Sequence, residues 1–130
     1  MNYFKVVSTA TAVLFAYLFA MCLFHSAGFV NDLGLLSSEA SGILARRASM
    51  FMLGIAILAF GSRSLAPSSA RQIICLAIGV PLLGLACLGS YELFRGTVNS
   101  SMLIAIGCET TLGFSYCAIH VANRNGRSAQ

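Results

Sequence analysis

Apolar residues in this chain come in long runs and do not alternate with polar ones, and most of the charge falls in short intervals between the runs. The first uncharged run covers residues 6–24, just after Lys5. Apolar stretches of about 20 residues mark helices that cross a bilayer, because a helix satisfies its own backbone hydrogen bonds where no water can. The second run, residues 48–62, is too short alone. It reaches a spanning length by extending back through Arg46 and Arg47 to Ile43, with Ser37 or Ser38 as N-cap. The third, residues 72–91, carries Pro81 near its middle, where a kink is expected. The fourth, residues 101–121, is the most polar and contains Glu109, Thr110, Thr111, Ser115, Tyr116 and His120. The pattern predicts an all-α integral membrane bundle of four transmembrane helices, a single domain over 1–130. Its spans fall at about 6–26, 43–62, 71–91 and 101–122, with a polar tail at 123–130.

The intervals read as connections. Gly28, Gly34 and Gly42 punctuate residues 27–42, and Pro67 with Ser68 and Ser69 marks a turn. A signal peptide is the rival reading of the first run, but the nearest cleavage site, His25-Ser26-Ala27, places a histidine where a small residue is needed. The first run is therefore read as a retained helix. Composition agrees: 58% of the 130 residues are hydrophobic and 9% are charged, against about 25% charged in an ordinary soluble domain. Four spans use most of the chain, which excludes a nucleotide-binding domain, a secreted disulfide scaffold and a DNA-binding module.

Four spans put both termini on one side. That side carries Lys5, Arg63, Arg71, Arg124 and Arg127 with no acid; the other carries Arg46, Arg47 and Arg95 beside Asp32, Glu39 and Glu92. The excess of basic residues predicts cytoplasmic termini. The net charge of +4 is then flank charge and requires no nucleic-acid partner.

Small residues at Ser8, Ala12, Ala16 and Ala20 form a ridge along the first helix, suited to packing within the bundle or to a homodimer or partner-protein seam. Gly79, Gly84 and Gly89 are read as local close contacts beside Pro81. The cysteines Cys22, Cys75, Cys87, Cys108 and Cys117 form no Cys-x-x-Cys pair and sit in apolar context, as small hydrophobes do. His25 and His120 fall at opposite ends of the bundle, so they cannot share a haem, and neither has a companion at zinc spacing. No cofactor or metal is expected.

Glu109 is the informative residue. Nine positions past Ser100, it lies roughly 13 Å below the outer end of its helix, near the bilayer midplane. An ionised carboxylate there is expensive and by default signals function with a named partner. The alternative is a protonated acid hydrogen-bonded to a neighbouring helix. Side chains lean toward a helix N-terminus, so Glu109, Arg46 and Arg47 lean outward while His25 and Glu92 lean into the membrane. These five residues are expected to meet in the outer half, with Glu109 and one arginine as the core. A gap of about 7 Å in depth would be eased by a water or by His25 or Glu92. Glu92 has a competing local partner in Arg95, and His25 a competing role as an interfacial residue.

The segment Ala45-Arg46-Arg47-Ala48 running into Met52-Leu53-Gly54 resembles small, uncharacterised bacterial four-helix membrane proteins related to DoxX, and Glu109 to Tyr116, with its Leu-Gly-Phe, resembles their last helix. The resemblance covers the second and fourth helices. It implies a four-helix bundle in a bacterial inner membrane with no agreed activity; some members of that class accompany respiratory or redox enzymes. Short multidrug transporters also have four helices, but they need a membrane-embedded glutamate in the first, and none is there. The leading expectation is a non-enzymatic binding or accessory protein holding a partner helix or a small lipophilic ligand. The second is a small transporter in which Glu109 exchanges a proton for a cation or amphiphile, and the third a membrane enzyme acting on lipid or quinone.

Overall fold

The computed structural model describes residues 3–125, with side chains through Asn123. These residues form five helices and no strand: α1 (Tyr3–Phe24), α2 (Ser26–Asp32), α3 (Glu39–Ser62), α4 (Ser69–Phe94) and α5 (Met102–Asn125). The helices α1, α3, α4 and α5 are each long and apolar enough to cross a membrane. They match the four expected spans, and most run further. Ser38 sets the start of α3 at Glu39, four residues before Ile43, through a capping box in which its side chain accepts from the Ser41 N–H while Ser41 Oγ accepts from the Ser38 N–H. Ser68 caps α4 in the same position, accepting from the Arg71 N–H. Most of the expected tail, with Arg127, lies outside the described residues, as does the Arg124 side chain.

The interval 27–42 is more than a connection. Residues 26–32 form α2, and Gly34 closes it: with φ +82°, its N–H donates to Asn31 O while Leu35 N–H donates to Val30 O. This paired closure needs a left-handed residue, which only glycine adopts freely. Gly96, φ +71°, ends α4 in the same way, with Gly96 N–H on Leu93 O and Thr97 N–H on Glu92 O.

The bundle is built from two close pairs, α1 with α3 and α4 with α5. Looser contacts join α1 to α5 and α3 to α4, so among the described residues α3 and α5 lie diagonally opposite. Each helix turns one stripe inward: Phe4, Val7, Ser8, Thr11, Ala12 and Phe15 on α1, and Cys75, Ile78, Gly79, Leu82, Ala86 and Gly89 on α4. On α3 the buried positions Gly42, Ser49, Ala56, Ala59 and Ser62 are all small, which lets α1 approach closely. Large apolar side chains, among them Phe24, Phe51, Phe94 and Ile104, point outward and are exposed.

The two pairs meet on Tyr116. Its ring is fully buried, stands edge-on to Phe4 with centroids 6.4 Å apart, and its hydroxyl donates to Ser8 Oγ at 3.5 Å. The backbone of α5 reaches this place because α4 presents Gly79: a Cβ there would sit 3.0 Å from Tyr116 Cβ and 3.4 Å from the Gly113 carbonyl. Gly89 likewise meets Met102 and Ile106, whereas Gly84 faces open space, so two of the three glycines are close contacts. Pro81 lies inside α4, which continues on both sides of it.

Gly79→Val is therefore expected to lower stability by about 1–3 kcal/mol, because rigid backbone and Cβ atoms must move apart. Gly54→Ala, where nothing lies within 4 Å, serves as the control and should be neutral. Denaturant titration of the purified protein in mild detergent checks this, and equal stability of the two variants would contradict the close approach.

Candidate functional site

Glu109 belongs to the inward stripe of α5, seven residues before Tyr116 and therefore on the same face. At the Tyr116 level α1 and α5 are tied together, since Tyr3 Oη donates to Ser115 Oγ at 2.9 Å and Tyr116 bonds Ser8. Toward the α2 end a cleft of about 400 Å³ opens between the two helices. Leu14, Tyr17, Leu18 and Met21 of α1 form one wall, Ile104, Cys108 and Glu109 of α5 the other, and Phe29 and Asp32 of α2 close the end. Glu109 Oε2 is buried and has no hydrogen-bond partner. Among the described residues the cleft lining thus holds two acids, Glu109 and Asp32, and no basic residue.

The helix α2 keeps its place through Asn99. Its N–H donates to Leu33 O and its Nδ2 to Asp32 O, both at 2.9 Å, while Asn99 Oδ1 accepts from Ser101 N–H at the entry to α5. One side chain therefore binds the exit of α2 to the start of α5, and the cleft has a fixed end wall.

The arginines stand elsewhere. Arg46 Nη1 donates to Ser26 Oγ at 3.3 Å and faces a separate pocket of about 300 Å³ between α2 and α3, lined by Ser26, Ser37, Ser38, Glu39 and Gly42. Gly42 leaves the room for this bond, since a Cβ there would lie 3.6 Å from both partners. Arg47 is exposed. The expected pairing of Glu109 with Arg46 or Arg47 is not formed, and no ion pair occurs among the described residues. Counted along their own helices the two are comparable, since Arg46 lies seven residues in from Glu39 and Glu109 seven in from Met102, about 10 Å. The obstacle is the diagonal placement of α3 and α5, which no depth argument reveals.

Glu92 and His25 also stay out of the cluster. Glu92 serves the end of α4, where the Thr97 hydroxyl approaches its carbonyl at 2.8 Å and its Oε2 at 2.5 Å. It forms no pair with Arg95, whose guanidinium lies 5.6 Å from the Tyr91 ring centre. His25 is exposed at the junction of α1 and α2 and caps no N–H with its side chain. Of the small-residue ridge, Ser8 and Ala12 are buried inside the bundle, whereas Ala16 is exposed and lines a shallow groove between α1 and α3. Among the described residues no group of three His, Cys, Asp or Glu side chains is placed to hold a metal ion.

Sequence reasoning missed Asp32, Phe29 and Tyr17, which line the same cleft as Glu109. The available signal was the Phe29-Val30 pair ahead of Asn31, Asp32 and Gly34, a short apolar helix with its stop. Compared with known proteins, the chain matches no family model, no curated protein and no solved structure.

Because Glu109 and Arg46 face different pockets, Glu109→Gln and Arg46→Gln should act independently on stability. Their effects in a double-mutant cycle are expected to add within about 0.5 kcal/mol. A coupling of about 1 kcal/mol or more would restore the pair.

Proposed function

We propose that the protein is a multi-pass membrane protein that binds a small lipophilic cation in the cleft between α1 and α5. The membrane reading is supported by four long apolar helices whose large apolar side chains face outward while Ser8, Thr11 and Ser49 are buried within. Cytoplasmic termini follow from the excess of basic residues at that end, and a bacterial inner membrane from the resemblance to DoxX-like proteins.

The observation that carries the reading is Glu109 itself: it lines a mostly apolar cleft with a second acid at its end and no base among the described residues, and its Oε2 is buried without a hydrogen-bond partner. An apolar wall selects for an apolar body, and an unopposed acid selects for a positive charge or a hydrogen-bond donor on it. Tyr17 and Phe29 add aromatic surface that attracts a cation. Where the chain acts as an accessory to a larger assembly, this cleft is the place at which it would hold its ligand. The unpaired state of Glu109 also favours a second reading, in which the same carboxyl exchanges a proton for the cation and the protein transports it.

Tetraphenylphosphonium and its anionic counterpart tetraphenylborate test the charge requirement at constant shape. Equilibrium dialysis against protein in lipid nanodiscs should show saturable binding of the cation alone. Glu109→Gln should weaken it at least about tenfold, roughly 1.4 kcal/mol, and Ala105→Trp should block the cleft, because Ala105 lines it beside Ile104. Equal binding of the anion, or affinity unchanged by Glu109→Gln, would contradict the proposal. Uptake of the cation into vesicles driven by a pH gradient and lost in Glu109→Gln would add transport to binding.

A further inference from the structure

The other end of the bundle holds a second unmatched charge. Arg71 lies in the first turn of α4, where the sequence places it among the basic flanks, yet it is only 5% exposed. Its guanidinium sits 4.2 Å above the centre of the Phe4 ring, and its Nη1 donates to the Leu65 carbonyl at 3.5 Å. Its Nε is buried and without a partner, and no acid pairs with it among the described residues. A guanidinium carries five N–H donors in a rigid fork, so most of its hydrogen-bonding capacity is unspent. Buried charge is retained only where something answers it, and an aromatic face answers the charge but not the donors.

Beside it lies a pocket of about 290 Å³ between the start of α1, the start of α4 and the end of α5. Tyr3, Phe4, Ala118, Ala122 and Asn123 line it together with Arg71, and none of the described residues lining it is acidic. Asn123 contributes a second donor, because its Nδ2 is also buried without a partner. Tyr3 is already committed to Ser115.

We infer that this pocket is a binding site for a phosphate group. The planar fork of an arginine matches two phosphate oxygens, and the Asn123 amide supplies a further donor from the facing helix. The pocket stands at the ends of three helices, the level of lipid headgroups when the bundle spans a membrane, and basic pockets between helices at that level hold anionic headgroups. The alanines Ala118 and Ala122, both on the exposed side of α5, leave room for the rest of a phospholipid. The same donors would hold free phosphate. The inference uses the membrane reading only for the lipid source and is independent of the Glu109 cleft.

The test uses the full chain in mild detergent, with dioctanoyl phosphatidylglycerol, dioctanoylglycerol (the same lipid without its phosphate) and inorganic phosphate as separate probes, bound species being counted by native mass spectrometry. Phosphatidylglycerol is expected to bind at least about tenfold more tightly than dioctanoylglycerol, and Arg71→Gln and Ala122→Phe should each remove that preference. If inorganic phosphate alone binds and competes with phosphatidylglycerol, the site stands with free phosphate as its source. Should Arg71→Gln fail to fold, Ala122→Phe and Asn123→Leu decide, since both leave the guanidinium in place. Equal binding of the two lipids with no binding of phosphate would overturn the inference, as would a preference untouched by Ala122→Phe and Asn123→Leu. Tetraphenylphosphonium binding should survive in Ala122→Phe, so failure at one site is distinguishable from failure at the other.

Discussion

The packing of Tyr116 against Phe4, Ser8 and Gly79 makes one bundle out of two helix pairs. On one side of this ring lies α1, on the other the bare backbone of α4, and each contact has a separate physical basis. The edge-on pair with Phe4 contributes about 0.5–1.5 kcal/mol beyond area burial, and the Ser8 bond satisfies a hydroxyl that no water reaches. Gly79 removes the Cβ that would keep α5 away. Both candidate sites depend on this junction. It brings α1 and α5 together at one level, so that they part above it to form the Glu109 cleft, and it seats Phe4 beneath the Arg71 guanidinium.

Among the described residues the bundle leaves its charges unpaired. Glu109 and Arg71 belong to different helices and opposite halves of the structure, and each lines a pocket with no described residue of opposite sign. In a low-dielectric surround an unanswered charge is costly, and structural economy would pair the two or replace both with apolar residues. On the two proposals made above, the pockets of opposite character, one acidic and lateral, the other basic and at the helix ends, are places where ligands complete what the fold omits. The short helix α2 belongs to this arrangement. Held by Asn99, it separates the Arg46 pocket from the Glu109 cleft and supplies Asp32 and Phe29 to the latter.

The long helices were legible because each is written as an apolar run about as long as a bilayer is thick, a local signal that does not depend on neighbours. Ser38 was legible as a cap for the same local reason, and Glu109 stood out because an acid inside such a run needs no structure to be noticed. What could not be read was angular. Glu109 and Arg46 lie equally far along their helices, but which helices adjoin depends on packing choices spread over Gly79, Gly113 and the small residues of α3. These put α3 and α5 on the diagonal. Arg71 was misread as surface charge because nothing local distinguishes a flanking arginine from one that turns back over an aromatic ring. Glu92 was misread because its partner, Thr97, lies beyond the glycine turn, outside any helical spacing.

The central claim is that the Glu109 cleft receives a lipophilic cation, and Cys108 reports on it directly because its side chain lines the cleft. In a chain where Cys108 is the only cysteine, its alkylation by N-ethylmaleimide in lipid vesicles can be timed with and without tetraphenylphosphonium. The account predicts that saturating cation slows alkylation at least about tenfold and that Glu109→Gln removes the protection. An unchanged rate at Cys108 under conditions where the cation is bound would place the ligand elsewhere and contradict the account.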